Sequence, residues 1–140
     1  MSTLQEQNKA ISRRWRAELD KGNWSVVDEL ISPNFVLHMP GSPPINREGV
    51  TQVLKMFYGA FPDLHHTFED FVAEGDKVAL RFTFSGTHKG DFQGIPPTGK
   101  SVNISASVVD RIVDGKLVEH WTLFDNMGLM QQLGFIPAPA

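Results

Sequence analysis

The segment Lys77–Ser85 alternates without a break, with Val78, Leu80, Phe82 and Phe84 on one face and Ala79, Arg81, Thr83 and Ser85 on the other. A period of two with four large apolar residues predicts a strand buried on one face, and its backbone groups need strand neighbours. The neighbours are close in sequence. Leu64–Ala73 precedes it and turns at Glu74-Gly75-Asp76, while Ser101–Val113 follows and turns at Asp114-Gly115 into Lys116–Asp125. Asp-Gly between two such runs is a hairpin signal. The second half of the chain therefore reads as long antiparallel strands.

Helical periods fill the first half. Ser2 with Gln5 and Thr3 with Glu6 form overlapping capping boxes before a helix with Leu4, Ile11, Trp15 and Leu19 in one stripe, which stops near Gly22. Ser25 with Asp28 opens a short helix that Ser32-Pro33 ends, and Asn34–Met39 reads as a strand. Asn46 caps a third helix with Val50, Val53, Leu54, Phe57, Tyr58 and Phe61 at helical spacing, closed by Pro62. Helices first and a run of strands afterwards is the α+β pattern, with the helices burying their faces on the sheet.

With 140 residues the chain fits a single domain spanning residues 1–140. A net charge of −3 with scattered Lys and Arg gives no reason to expect nucleic acid or an anionic membrane. There are no cysteines, which excludes disulfides and thiolate chemistry. No apolar run is long enough to span a bilayer, so a cytoplasmic protein is the expectation. The histidines His38, His65, His66, His88 and His120 show no chelating spacing, and adjacent His65 and His66 point to opposite faces of a strand, so no metal is expected.

In the last strand, Glu119, Trp121, Leu123 and Asp125 share a face, and acids there are costly unless they line a cavity or find partners. This makes Asp125 the leading candidate for acid/base work. Asp125 also stands directly before the apolar run Met127, Leu129, Met130 and Leu133, so it fits a helix cap equally well. Glu119 reads as a partner for a cation such as Arg81 or Arg111. His120 faces the opposite way and is expected on the outer sheet face.

The run Gly86-Thr-His-Lys-Gly-Asp-Phe-Gln-Gly-Ile-Pro-Pro-Thr-Gly-Lys100, together with Phe61-Pro-Asp-Leu64, Glu119-His-Trp-Thr-Leu-Phe-Asp125 and Leu129-Met-Gln-Gln-Leu-Gly134, resembles the SnoaL-like polyketide cyclase family. The resemblance implies the fold of the nuclear transport factor 2 and ketosteroid isomerase superfamily: a cone-shaped α+β barrel, its curved antiparallel sheet wrapped by N-terminal helices around one deep pocket. It also implies an aldol ring closure without metal or cofactor, with Asp125 matching the family's acid/base aspartate and His38 its first-strand histidine. The further pocket histidine of the known cyclases has no counterpart in the third long strand, where Ser105, Ser107, Val109 and Asp110 stand. A homodimer is implied as well.

These readings give catalytic candidates Asp125 and His38, and ligand contacts Trp121, Phe92, Arg81 and His88, with no cofactor. The expected function is acid/base chemistry on a hydrophobic carbonyl compound, by aldol cyclisation or enolisation. Two rivals stand beside it: a non-catalytic small-molecule-binding or dimerisation module, and an epoxide or ester hydrolase built on Asp125, Arg81 and Asn103.

Overall fold

A computed structural model describes residues 3–137. In chain order the elements are helix α1 (Leu4–Asp20), α2 (Ser25–Leu30), strand β1 (Ile31–His38), β2 (Ile45–Asn46), helix α3 (Arg47–Ala60), strands β3 (His65–Glu74), β4 (Lys77–Thr87), β5 (Ser101–Val113) and β6 (Lys116–Phe124), and helix α4 (Asn126–Gln132). The strands form one curved sheet in the order β2-β1-β6-β5-β4-β3. All neighbours are antiparallel except β1 and β6, which run parallel, so the sheet is mixed and open.

Local signals account for most boundaries. The Thr3–Glu6 capping box opens α1, and the Asn46 side chain accepts from the Gly49 N–H to open α3. The Ser2–Gln5 box lies outside the described residues. The Ser25 cap does not form: Trp24 holds the N-cap position of α2 without a side-chain bond, and the Ser25 hydroxyl instead bonds Asn23. Strand β1 begins at Ile31, earlier than expected, and Pro33 is tolerated within it where the register to β6 is irregular. Asp114 and Gly115 both take positive φ in the turn between β5 and β6, as a two-residue hairpin loop requires.

The even-numbered residues of β4 and β5 point inward. Val78, Leu80, Phe82 and Phe84 meet Val102, Ile104, Ala106 and Val108 in one continuous core with Trp15, Leu19 and Val50 of the helices. The Gly86–Lys100 excursion docks on the end of α3, where the N–H groups of Lys89 and Gly90 donate to the Ala60 carbonyl at 3.0 and 3.1 Å. A Cβ on Gly90 would lie 2.2 Å from the Gly59 carbonyl oxygen, so only glycine allows this approach. Helix α1 buries Asn8, Ser12 and Arg16 alongside Trp15 and Leu19, whereas Leu4 is exposed.

Candidate active site

The concave side of the sheet, roofed by α1 and α3, holds a half-open cavity of about 120 Å³. Its wall is apolar over most of its extent, with Leu19, Leu37, Leu54, Phe57, Phe82 and Phe124 among the lining residues. Set into that wall are two histidines, His120 from β6 and His66 from β3, each tied to an aspartate.

Asp110 is the best-provided carboxylate among the described residues. Four residues supply its donors. Arg16 Nη1 lies 2.7 Å from Oδ2 and Nη2 3.1 Å from Oδ1, Ser12 Oγ is 2.8 Å from Oδ2, Trp15 Nε1 is 3.4 Å from Oδ2, and His120 Nδ1 is 2.6 Å from Oδ1. Ser12, Trp15 and Arg16 reach one point because spacings of three and four residues lie on the same helix face. Burial alone would raise the Asp110 pKa, but the Arg16 guanidinium and His120 hold it well below the usual carboxylate range. Burial pushes the His120 pKa down against the pull of Asp110. The site thus holds one cation, one anion and a neutral imidazole. An ionised Asp110 can only accept, so Nδ1 carries the proton and Nε2 keeps a lone pair for the cavity.

The second pair has a different construction. Asp20, the last residue of α1, accepts from Tyr58 Oη at 2.6 Å, from the His66 backbone N–H at 2.8 Å and from His66 Nδ1 at 2.9 Å. A carboxylate at a helix C-terminus is electrostatically disfavoured, and these donors offset the cost. Burial raises the Asp20 pKa and its hydrogen bonds outweigh that, leaving it lowered. Burial likewise lowers the His66 pKa.

The residues singled out from sequence lie elsewhere. Asp125 caps α4, its Oδ1 accepting from the Gly128 N–H at 2.8 Å, and does not line the cavity. His38 stacks on Trp121 with ring centroids 5.3 Å apart and bonds Glu119 Oε2 through Nε2 at 2.7 Å. Glu119 also lies 3.7 Å from Arg111. Arg81 pairs with Asp70 beside Trp121 along a groove on the outer sheet face. His88 is fully buried in the excursion, its Nδ1 accepting from the Thr98 N–H at 3.2 Å, and Phe92 packs on Phe57 and Phe61 behind the cavity wall. Of Asp125, Arg81 and Asn103, none lines the cavity.

One irregularity sets which face of β6 lines the cavity. Leu117 pairs with Ile112 and Glu119 with Arg111, so Val118 is an extra residue in β6. Leu117 is buried, and strict alternation from it would carry Glu119, Trp121 and Leu123 inward. The bulge reverses the phase and turns His120, Thr122 and Phe124 to the cavity instead. His120 is therefore inside, not on the outer face. The polar stripe Asn8, Ser12, Arg16 at four-residue spacing was the available signal for a buried polar partner on the sheet.

An open, curved α+β sheet with helices roofing its concave side is the cone of the nuclear transport factor 2-like fold. The profile of the SnoaL-like polyketide cyclase matches residues 9–133, and the chain belongs to that family. It is 27% identical over 110 residues to the aklanonic acid methyl ester cyclase DauD of Streptomyces sp. (strain C5), a span of 78% of this chain and 67% of that one. Among solved structures, AclR of Streptomyces galilaeus, described as a candidate hydroxylase, superposes with a TM-score of 0.88 at 31% identity, covering 96% of this chain and 85% of AclR. IdmH of Streptomyces antibioticus, described as a candidate polyketide cyclase, gives 0.82 at 35% identity, covering 91% and 99%.

Proposed function

We propose that this chain is a cyclase-type enzyme that runs acid/base chemistry on a hydrophobic carbonyl compound in the cone cavity, with His120 as the base. The observation that carries the reading is the 2.6 Å bond from His120 Nδ1 to the buried Asp110, which leaves Nε2 unprotonated on a histidine that lines an apolar cavity. His120 Nε2 takes a proton from the carbon next to the substrate carbonyl, and Asp110 stabilises the imidazolium that forms. The Thr122 hydroxyl, two residues along and also lining the cavity, would donate to the enolate oxygen. In a ring closure the enolate carbon attacks a second carbonyl carbon of the same molecule. The resulting alkoxide recovers the proton from His120, so no proton is gained or lost overall.

The test is α-proton exchange of ketones in D₂O, followed by proton NMR. Wild-type protein should accelerate exchange and His120→Gln should lose the acceleration, by a factor on the order of 10²–10⁴ for a general base. Equal exchange by both proteins would remove His120 from the chemistry.

We also propose a homodimer formed through the outer sheet face, supported by the exposed Val72 and Leu123 beside Trp121 there. Light scattering of the wild type against Leu123→Lys tests it. A monomeric wild type ends the proposal.

A further inference from the structure

The acid/base reading gives His120 the carbon-bound proton and Thr122 the carbonyl oxygen. It leaves the other cavity histidine, His66, without a task. Arg16 and Tyr58 also line the cavity, but they direct donors to Asp110 and Asp20.

His66 is nonetheless held to one chemical form. Its Nδ1 lies 2.9 Å from Asp20 Oδ1, and Asp20 Oδ2 accepts from the backbone N–H of the same residue at 2.8 Å. These bonds and the one from Tyr58 keep Asp20 ionised, with its pKa below the usual value. An ionised carboxylate can only accept, so Nδ1 carries the proton. Burial keeps the imidazole neutral, and Nε2 is therefore a lone-pair acceptor. Nothing among the described residues donates to it. It remains accessible, unlike Asn8 Nδ2 and His88 Nε2, which are buried without a partner. The ring packs against Phe82 and Phe68, at centroid distances of 4.9 and 6.1 Å.

A ligand therefore meets two histidines that both accept. A simple ketone offers only acceptors. It can satisfy the Thr122 hydroxyl, but it takes water from His66 Nε2 and returns nothing. The donor that fits is a neutral O–H. An ammonium group would bury a charge among Leu19, Leu54, Phe57 and Phe82, and an amide N–H brings a second carbonyl oxygen that needs a donor of its own. Phenols and enols carry the most strongly donating neutral hydroxyls.

We propose that His66 sets specificity by accepting a phenol or enol O–H, so that the substrate is a hydroxylated ketone rather than a simple one. This rests on the acid/base reading only for the place of the carbonyl; the preference for an O–H stands on the two His–Asp pairs. A site built to bond a substrate hydroxyl rejects the analogue that lacks it, even where the analogue is the more apolar molecule.

The 5-, 6- and 7-hydroxy-1-tetralones and their methyl ethers test this. Each ether keeps the ring, the carbonyl and the exchangeable CH₂ and loses only the donor. At neutral pH at least one hydroxy isomer should bind wild-type protein about tenfold or more tightly than its own ether. That isomer should move the Nε2 ¹⁵N resonance of His66 upfield, and its ether should not. His66→Phe should bring the pair to near-equal affinity, while His66→Gln, which restores an acceptor oxygen, should recover part of the difference. If His66→Phe does not fold, the ¹⁵N shift in wild-type protein decides. Ethers that bind as well as all three hydroxy ketones, a preference that survives in His66→Phe, or no binding of any of the six overturns the proposal. A preference carried by His66 without α-proton exchange leaves the proposal standing and removes the acid/base reading. Exchange of hydroxy ketones and ethers at equal affinity does the opposite.

Discussion

Asp110 and His120 are direct cross-strand partners, and the 2.6 Å contact between their side chains lies entirely inside the protein. A lone carboxylate there would be costly. The Arg16 guanidinium, delivered by the first helix, is what allows Asp110 to stay ionised and to fix the tautomer of a histidine about 100 residues further along.

Removing the anion should be severe. Asp110→Asn leaves Arg16 buried with its charge unmatched, and the expected loss is roughly 3–5 kcal/mol. Urea unfolding measures it. Adding Arg16→Met should recover part of the loss, since the unmatched charge goes with it; an additive double variant would mean the two side chains are not coupled.

Acid should weaken the fold in two stages. His66 and His120 have folded pKa values below the ordinary 6.5, so they bind protons more readily when unfolded. Their contribution is complete above about pH 6.5 and is lost as pH falls from there through the lowered folded values. Asp20 and Asp110, lowered from 3.8, extend the loss below that pH. Urea midpoints taken between pH 8 and pH 4 should fall on the acid side, and a flat profile would contradict the burial of both imidazoles.

Tyr58→Phe deletes the 2.6 Å donor to Asp20 while preserving the ring that lines the cavity. The expected cost is about 1–3 kcal/mol, because the acceptor is charged. The Asp20 carboxyl should also titrate higher, which carbon NMR reads directly. An unmoved titration would show that the His66 bonds alone hold the anion.

Asp125→Ala removes the cap of α4 and should cost about 0.5–2 kcal/mol without disturbing the cavity. Ketone exchange should stay near the wild-type rate. Loss of exchange with stability intact would move the chemistry from His120 to Asp125.

Gly90→Ala sets a Cβ against the Gly59 carbonyl and should cost about 1–3 kcal/mol as the excursion lifts from α3. Faster amide exchange at Lys89, whose N–H bonds the Ala60 carbonyl, is the local signature.

The sequence by itself determined the order of helices and strands, but not the parallel pairing of β1 with β6, which makes the expected antiparallel sheet a mixed one. Alternation in Lys77–Ser85, the Asp114-Gly115 turn, the Thr3 and Asn46 caps and the period of α3 are local properties, fixed by sterics and hydrogen bonding within a few residues. The family resemblance was legible for the same reason, as contiguous motifs along the chain. The candidate site was not. It depends on which face of β6 meets the core, and the extra residue Val118 reverses that face without a mark in the apolar pattern. It also depends on Asp110 meeting Ser12, Trp15 and Arg16 across 94 to 98 positions of chain. Sequence spacing says nothing of such a meeting, because a buried charge and a solvated one are written with the same letters until packing removes the water from one of them.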